Sequence, residues 1–506
     1  MAGQTLTSKS ASIPFKKNGG GLNSTFGHLN LQNNESSSLL NIDFDRSGSF
    51  LKRNGYSRLN TSAFNSGAAW TSLHWFESTT DFLIGTCGNK LAKMDSLDGT
   101  WDDITGALTI TAGQDNQFRW STFLNTALGT NGVDVPVIWT GSGNGSAMTV
   151  PTGLTTAKFL TIYNSYTFLA NVTVSGTAHP TRIYWSAINS ISSWNTADFN
   201  DVERNDGQDI TGLKRLGSKL IIFKDRSIHQ AIFTGDTDVP FVFEQTPSTV
   251  GCNAGGSIQE VENGLVFESQ DGYYFFDGNN SYKISDRVTT TLETFSKNRN
   301  QYTASAYQKS KNRYWSSQTT SGSTAHNQCM IWDSFNNAFS LYEGHNANCF
   351  AIVYTSGEER IYFGDYLGYV YRADTGSNDN PAGTETAIEA YYYTKWFDYD
   401  DIVNQKETPE VKIYFQSNNA TLTFTYSYDL EDADTYSSTF SMAAGSSLYG
   451  TAIYDTNTYA GSGGAVTRRD LTGRGHLIRL GFKNNTVSET FRIDGFGALA
   501  NIDTNV

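Results

Sequence analysis

Short apolar runs separated by tight turns recur along the first three quarters of this chain, and that recurrence constrains its fold more than any single residue does. One unit can be read in full. Tyr184-Trp185-Ser186 is followed by a polar stretch to Trp194 and an acidic loop. Then come Ile210-Thr211-Gly212-Leu213, Leu220-Ile221-Ile222-Phe223, a tight turn at Lys224-Asp225-Arg226, and Ser227-Ile228. Comparable strand-turn-strand units occupy 72–94, 117–139, 159–186, 258–276, 303–342 and 350–373. Their spacing of roughly 40 to 55 residues is that of propeller blades. The expected fold class is therefore all-β, a β-propeller of seven candidate blades (six with a stray hairpin fit as well), followed by a C-terminal β-sandwich-like domain.

Composition agrees with strands and turns. The 506 residues include 31 Phe, 27 Tyr and 10 Trp, with 47 Gly to supply turns and only 8 Pro to interrupt strands. A disordered chain would not carry 13% aromatic residues. The formal net charge of -14 opposes open binding of duplex DNA, which needs Lys and Arg against phosphates. Cys87, Cys252, Cys329 and Cys349 lie far apart and read as reduced, buried thiols. Neither a signal-peptide core at the N-terminus nor an apolar run of membrane-helix length is visible, so folding in a cytoplasm is expected.

Three regions are expected. Residues 1–60 form an arm and hairpin, 61–375 the propeller, and 386–506 the sandwich-like domain, after a Gly/Ser/Asn/Pro linker at 375–386. In the last region Val411, Ile413 and Phe415 alternate with Lys412, Tyr414 and Gln416, as strands with one packed face do. Residues 441–470 are a long glycine-rich loop ending in Arg468-Arg469. Leu22, Phe26 and Leu29 are too sparse for a core of their own and are expected to anchor the arm on a neighbouring subunit, while Arg468 and Arg469 suit a charge contact with an acidic partner or DNA.

No catalytic or metal-binding pattern emerges, and no cofactor is expected. The seven histidines are scattered, with no His-Glu-x-x-His. The acidic loop Asp201, Glu203, Asn205, Asp206, Gly207 and Asp209 fails as a calcium loop, because the glycine needed sixth falls seventh, and it reads as solvated. Gly251 to Gly256 lacks the Lys-Ser/Thr of a phosphate cradle, and no Gly-x-Ser-x-Gly elbow is present. Glu343, near His345 and Asp333, reads as a satisfied surface cluster.

Several segments resemble the tail nozzle, or packaged-DNA stabilisation, family of short-tailed bacteriophages. They are Gly20-Gly21-Leu22-Asn23, Glu35 to Phe44, Lys52-Arg53-Asn54-Gly55-Tyr56, Tyr184-Trp185-Ser186 to Trp194, Ile210-Thr211-Gly212-Leu213, and Gly264-Leu265-Val266-Phe267 to Asp277-Gly278. The resemblance runs from about residue 19 to residue 285. It implies a structural virion protein without enzymatic activity, a ring expected to hold six copies below the portal adaptor. That ring would retain packaged DNA and conduct it through its lumen without sequence-specific binding, with tail fibres or spikes docked outside. A second reading is a glycan-binding or glycan-degrading virion protein (a depolymerase), because Tyr391-Tyr392-Tyr393 and Trp396 can stack sugars. A third gives residues 386–500 the task of recognising a fibre or receptor.

Overall fold

The computed structural model describes residues 9–13, 19–381, 383–431, 434–443, 459–460 and 464–502. Contacts divide the chain into two units. The larger comprises Ser57–Cys329 and Gly344–Ala373; the smaller comprises Met1–Tyr56, Met330–Glu343 and Asp374–Val506.

Antiparallel sheets of four strands recur seven times; six are hydrogen-bonded in sequence order, and the seventh, Cys349–Thr355, Glu358–Gly364 and Val370–Ala373, takes Tyr56–Arg58 as its outer strand. The fourth is representative. Ile210–Leu216 turns through Gly217-Ser218 into Lys219–Lys224, which pairs with Ile228–Phe233, and Phe241–Gln245 closes the outer edge. Gly217 takes φ 58°, the left-handed conformation that a two-residue hairpin loop requires. Lys219–Lys224 is apolar without alternation because both of its faces are covered. Leu220 and Ile222 pack with Phe168, Ile183 and Phe241 on one side, while Ile221 and Phe223 pack with Leu265, Phe267 and Phe276 on the other. Each such cluster joins residues of two consecutive sheets. One more joins Trp70, Leu83 and Met94 of the first sheet to Val353, Tyr362 and Val370 of the seventh.

The β-propeller expectation is corrected accordingly. The fold is all-β with many small antiparallel sheets, each of them open, and none closes or curls into a barrel or propeller. The C-terminal strands do not form a sandwich by themselves either. In the smaller unit, Lys406–Gln416 and Arg492–Ile502 share a sheet with Phe50–Lys52, Ile42–Phe44 and Lys9–Ile13. Ala390–Thr394 pairs with Glu35–Leu40 on one side and Ile478–Asn484 on the other. Phe50 of the first of these sheets stacks on Tyr392 of the second with centroids 4.1 Å apart, so the core of this unit is built jointly from the two ends of the chain.

The acidic loop after Trp194 is organised rather than merely solvated. Arg182 donates from Nε and Nη2 to the two oxygens of Asp201 (2.7 and 2.8 Å) and lies over Phe199. The hydrogen bonds from Arg182 hold the Asp201 carboxyl below its ordinary range. Lys224, with a fully buried side chain, donates to Val202 O (2.9 Å), Glu203 O (3.2 Å) and Asp206 Oδ2 (2.6 Å).

Glu268 is a buried carboxyl that accepts a hydrogen bond from Gln318 Nε2 (2.9 Å). Burial pushes its pKa from 4.5 up to about 7. The folded chain therefore keeps this proton to a higher pH than the unfolded chain. Its contribution to stability is full below about pH 4.5 and is lost as pH rises through about 7, a change on the order of 3 kcal/mol. Glu268→Gln should remove this slope. In urea unfolding between pH 5 and 8, the variant's stability relative to the parent should rise with pH, and a constant difference would show that Glu268 ionises normally.

Among the described residues, no helix is long and apolar enough to cross a membrane.

Candidate binding site

The leading strand of every four-stranded sheet is an edge strand, with one row of backbone groups unpaired in its own sheet. Those of the larger unit, Trp70–Phe76, Arg119–Phe123, Leu154–Tyr163, Ile210–Leu216, Gln259–Val261, Ser305–Gln308 and Cys349–Thr355, all contribute to one cavity of about 480 Å³. Strand alternation selects what faces it. Phe118 and Trp120 pack into the core between the first two sheets and leave Arg119 between them for the cavity. Leu73 packs into the core beside His74, Trp75 is partly buried against that core and also lines the cavity, and Leu213 precedes Lys214.

The walls are pinned by hydrogen bonds. Gln117 donates from Nε2 to Tyr302 O (2.7 Å) and Asn348 O (3.1 Å), and Asn348 donates from Nδ2 to Trp70 O and Gln114 O (2.9 Å each). The Trp120 indole donates to Ser72 Oγ (2.8 Å). His74 Nε2 lies 2.8 Å from Thr122 Oγ1, and its ring is nearly parallel to that of Trp120. Burial lowers the His74 pKa to about 4, so its imidazole is neutral at pH 7. Trp75 Nε1 is buried and has no hydrogen-bond partner.

A second cavity of about 180 Å³, lined by Lys158, Asn171, Asp209, Asp225 and Asn253 among others, shares Arg119 and Gly255 with the first. Thr211 Oγ1 and Asn253 Oδ1, on its walls, are also buried without partners. Residue 255 must be glycine here, since a Cβ would stand 2.1 Å from Thr211 O and 2.7 Å from the Phe159 ring. At 256 a Cβ would come within 2.8 Å of Arg119 Nη2.

The arrangement joins aromatic faces (Trp75, Tyr307, Tyr354), charges of both signs (Arg119, Lys214, Glu77, Glu260) and amides (Gln259, Asn348) in one concave space. Such a lining can hold a polar ligand with flat apolar faces. Among the described residues, no group of three or more His, Cys, Asp or Glu side chains could hold a metal ion.

The residues singled out by sequence lie elsewhere. Leu22 is buried, whereas Phe26 and Leu29 are about half exposed. Arg468 pairs with Glu410 (2.8 Å) and Asp470 (3.1 Å), and the Arg469 guanidinium sits over Phe440. Residues 444–458 and 461–463 of the expected 441–470 loop lie outside the described residues, as do 1–8 and 14–18 of the arm. Tyr392 and Trp396 are core side chains, and Arg479 lies over the rings of both Tyr393 and Trp396. The Glu343 cluster has no common task. Asp333 caps its own turn through the N–H groups of Phe335 and Asn336, and the buried His345 meets Trp315 edge-on. All four cysteines are buried free thiols.

No protein-family model matches the chain, and no curated protein matches it. Solved structures that match include the computationally designed Ika8 protein, 13% identical over 63% of this chain and 100% of that one (TM-score 0.39). A chain of a mitotic checkpoint complex is 10% identical over 63% of this chain and 97% of its own (TM-score 0.39). A streptogramin B lyase is 13% identical over 63% and 97% (TM-score 0.42). Likenesses of this degree assign neither fold nor function. No family model or curated protein supports the resemblance to the tail nozzle family and the sheets do not close into a propeller, so the chain is not a viral tail propeller as that resemblance implied. The six-copy ring, the portal adaptor, the fibres and the DNA passage rested on that resemblance and are not carried forward.

Proposed function

We propose that the protein is a carbohydrate-binding module whose site is the larger cavity of the Ser57–Cys329 unit. One observation carries this reading. Seven leading strands supply, around a single concave space, aromatic rings, amides and carboxylates, together with a buried indole N–H at Trp75 that has no protein partner. Sugars need that combination, since their C–H faces pack on aromatic rings and their hydroxyls both donate and accept. An unsatisfied donor in a concave wall costs free energy that a ligand oxygen recovers.

Titration calorimetry against a panel of plant, microbial and animal oligosaccharides tests the reading. At least one should bind, and Trp75→Phe, which keeps a ring and deletes the N–H, should weaken it by roughly three- to tenfold, on the order of one net hydrogen bond. Binding that is indifferent to Trp75→Phe, or no binding across the panel, would remove the cavity as the site.

A further inference from the structure

Arg119 stands on the boundary shared by the two cavities. A guanidinium has five N–H donors. Among the described residues this one makes a single hydrogen bond, to the neutral Gln117 Oε1 (3.2 Å), and no ion pair. The contrast with the other arginines is informative: Arg53 and Arg182 grip carboxylates bidentately, and Arg299 takes Asp115 at 2.6 and 2.8 Å. Asp115, which lines the smaller cavity with Arg119, is thus already engaged. Among the described residues, Lys158 and Lys214, on the cavity walls, also make no ion pair, although Asp209 and Asp225 act on Lys158 and Glu260 acts on Lys214 from a distance.

Arg119 is partly buried, its surroundings lower its pKa to about 10, and a partly desolvated cation without a counter-charge favours an incoming anion. The carboxylates of the larger cavity, Glu77 and Glu260, and Asp209 of the smaller one are exposed, Asp225 accepts the Asp209 N–H (2.9 Å), and none of the four pairs with Arg119. Glycine at 256 leaves the space that the guanidinium occupies.

Resting on the carbohydrate reading, we propose that the ligand is an acidic sugar whose oxyanion, carboxylate or sulfate ester, is held by Arg119 at the junction of the two cavities. Two parallel N–H groups match either oxyanion. The exposed Glu77 and Glu260 remain for hydroxyls.

The test is calorimetric, on the full chain at pH 7, with matched probes. One pair is tri-galacturonate and its fully methyl-esterified form; the other is a sulfated galactose trisaccharide and its unsulfated parent. An acidic member should bind about tenfold or more tightly than its neutral match, and which pair shows the gap identifies the oxyanion. Arg119→Gln should bring the ratio close to one, while Arg119→Lys, which keeps the charge and loses the fork, should retain part of it. If Arg119→Gln does not fold, added salt substitutes for it, since the preference of the parent should shrink between 0.05 and about 0.5 M NaCl. Equal affinity within both pairs overturns the acidic-sugar inference while leaving carbohydrate binding intact. Failure of every oligosaccharide, neutral or acidic, overturns the carbohydrate reading itself.

Discussion

Arg53→Met should destabilise the smaller unit by about 3–5 kcal/mol, because it leaves a buried carboxylate without its partner. All donors of Arg53 are used. Nε donates to Asn41 Oδ1 (2.7 Å), Nη1 to Asn54 O (3.0 Å) and Asp379 Oδ1 (2.8 Å), and Nη2 to Glu343 O (2.8 Å) and Asp379 Oδ2 (2.7 Å). Both members of the pair are buried, with Arg53 2% and Asp379 7% exposed, and the guanidinium lies over the Tyr342 ring. One side chain thereby ties together three stretches of the smaller unit that are far apart in sequence, around residues 41–54, 343 and 379. Asp379→Asn should cost less than Arg53→Met, since the amide oxygen still accepts. The double variant should cost less than the two single changes together. Hydrogen exchange of amides in the smaller unit reads the loss, and a change below about 1 kcal/mol for Arg53→Met would show that the pair is idle.

Lys224→Met should have an effect of similar size, about 3–5 kcal/mol, in the larger unit. The ammonium has three donors and three acceptors, two of them backbone carbonyls of the acidic loop; Glu203 O keeps a weak bond from the Asp206 N–H (3.2 Å), whereas Val202 O, which the lysine reaches at 2.9 Å, is left buried with its donor gone. Methionine fills much the same volume, so the loss reports the hydrogen bonds rather than a cavity. Cleavage within residues 201–209 by a protease under native conditions should accelerate in step with the lost stability. Asp206→Asn should do much less, because the Asp206 side chain is 22% exposed and its charge is partly solvated. Equal effects of the two changes would mean that the ion pair, not the carbonyls, holds the loop.

Much of the strand pattern was legible before the fold was known. The run 90–94 and the pairing of 264–269 with 272–276 follow directly from apolar runs bounded by turns. Asp271-Gly272 signalled the right hairpin one residue late: the turn is Gln270-Asp271, and Gly272 already pairs with Ser269. The outermost strands escaped. Asp102–Asp103, Ser146–Ala147 and Phe199–Asp201 span two or three mostly polar residues at a sheet edge, where no buried face imposes a pattern. The mixing of both chain ends in one core was also invisible, because Phe50 against Tyr392 is a contact across more than 300 positions that no local periodicity encodes.

The candidate site was less legible still. Its lining comes from seven strands, two to five residues from each, so no single spacing reveals it. A signal was nonetheless present. His74, Arg119 and Lys214 are titratable residues set beside apolar core positions in leading strands, where a two-residue period turns them to the opposite face. The aromatic run at 391–393 is the more conspicuous pattern, and packing consumes its Tyr392.

Diffraction from crystals of the full chain soaked with the tightest-binding oligosaccharide is the most direct test of where that ligand sits. Sugar density is expected in the larger cavity, with a ring against Trp75 and an oxygen within hydrogen-bond distance of its Nε1. Sugar bound elsewhere on the chain, with that cavity unchanged and Trp75 Nε1 still unpartnered, would contradict it.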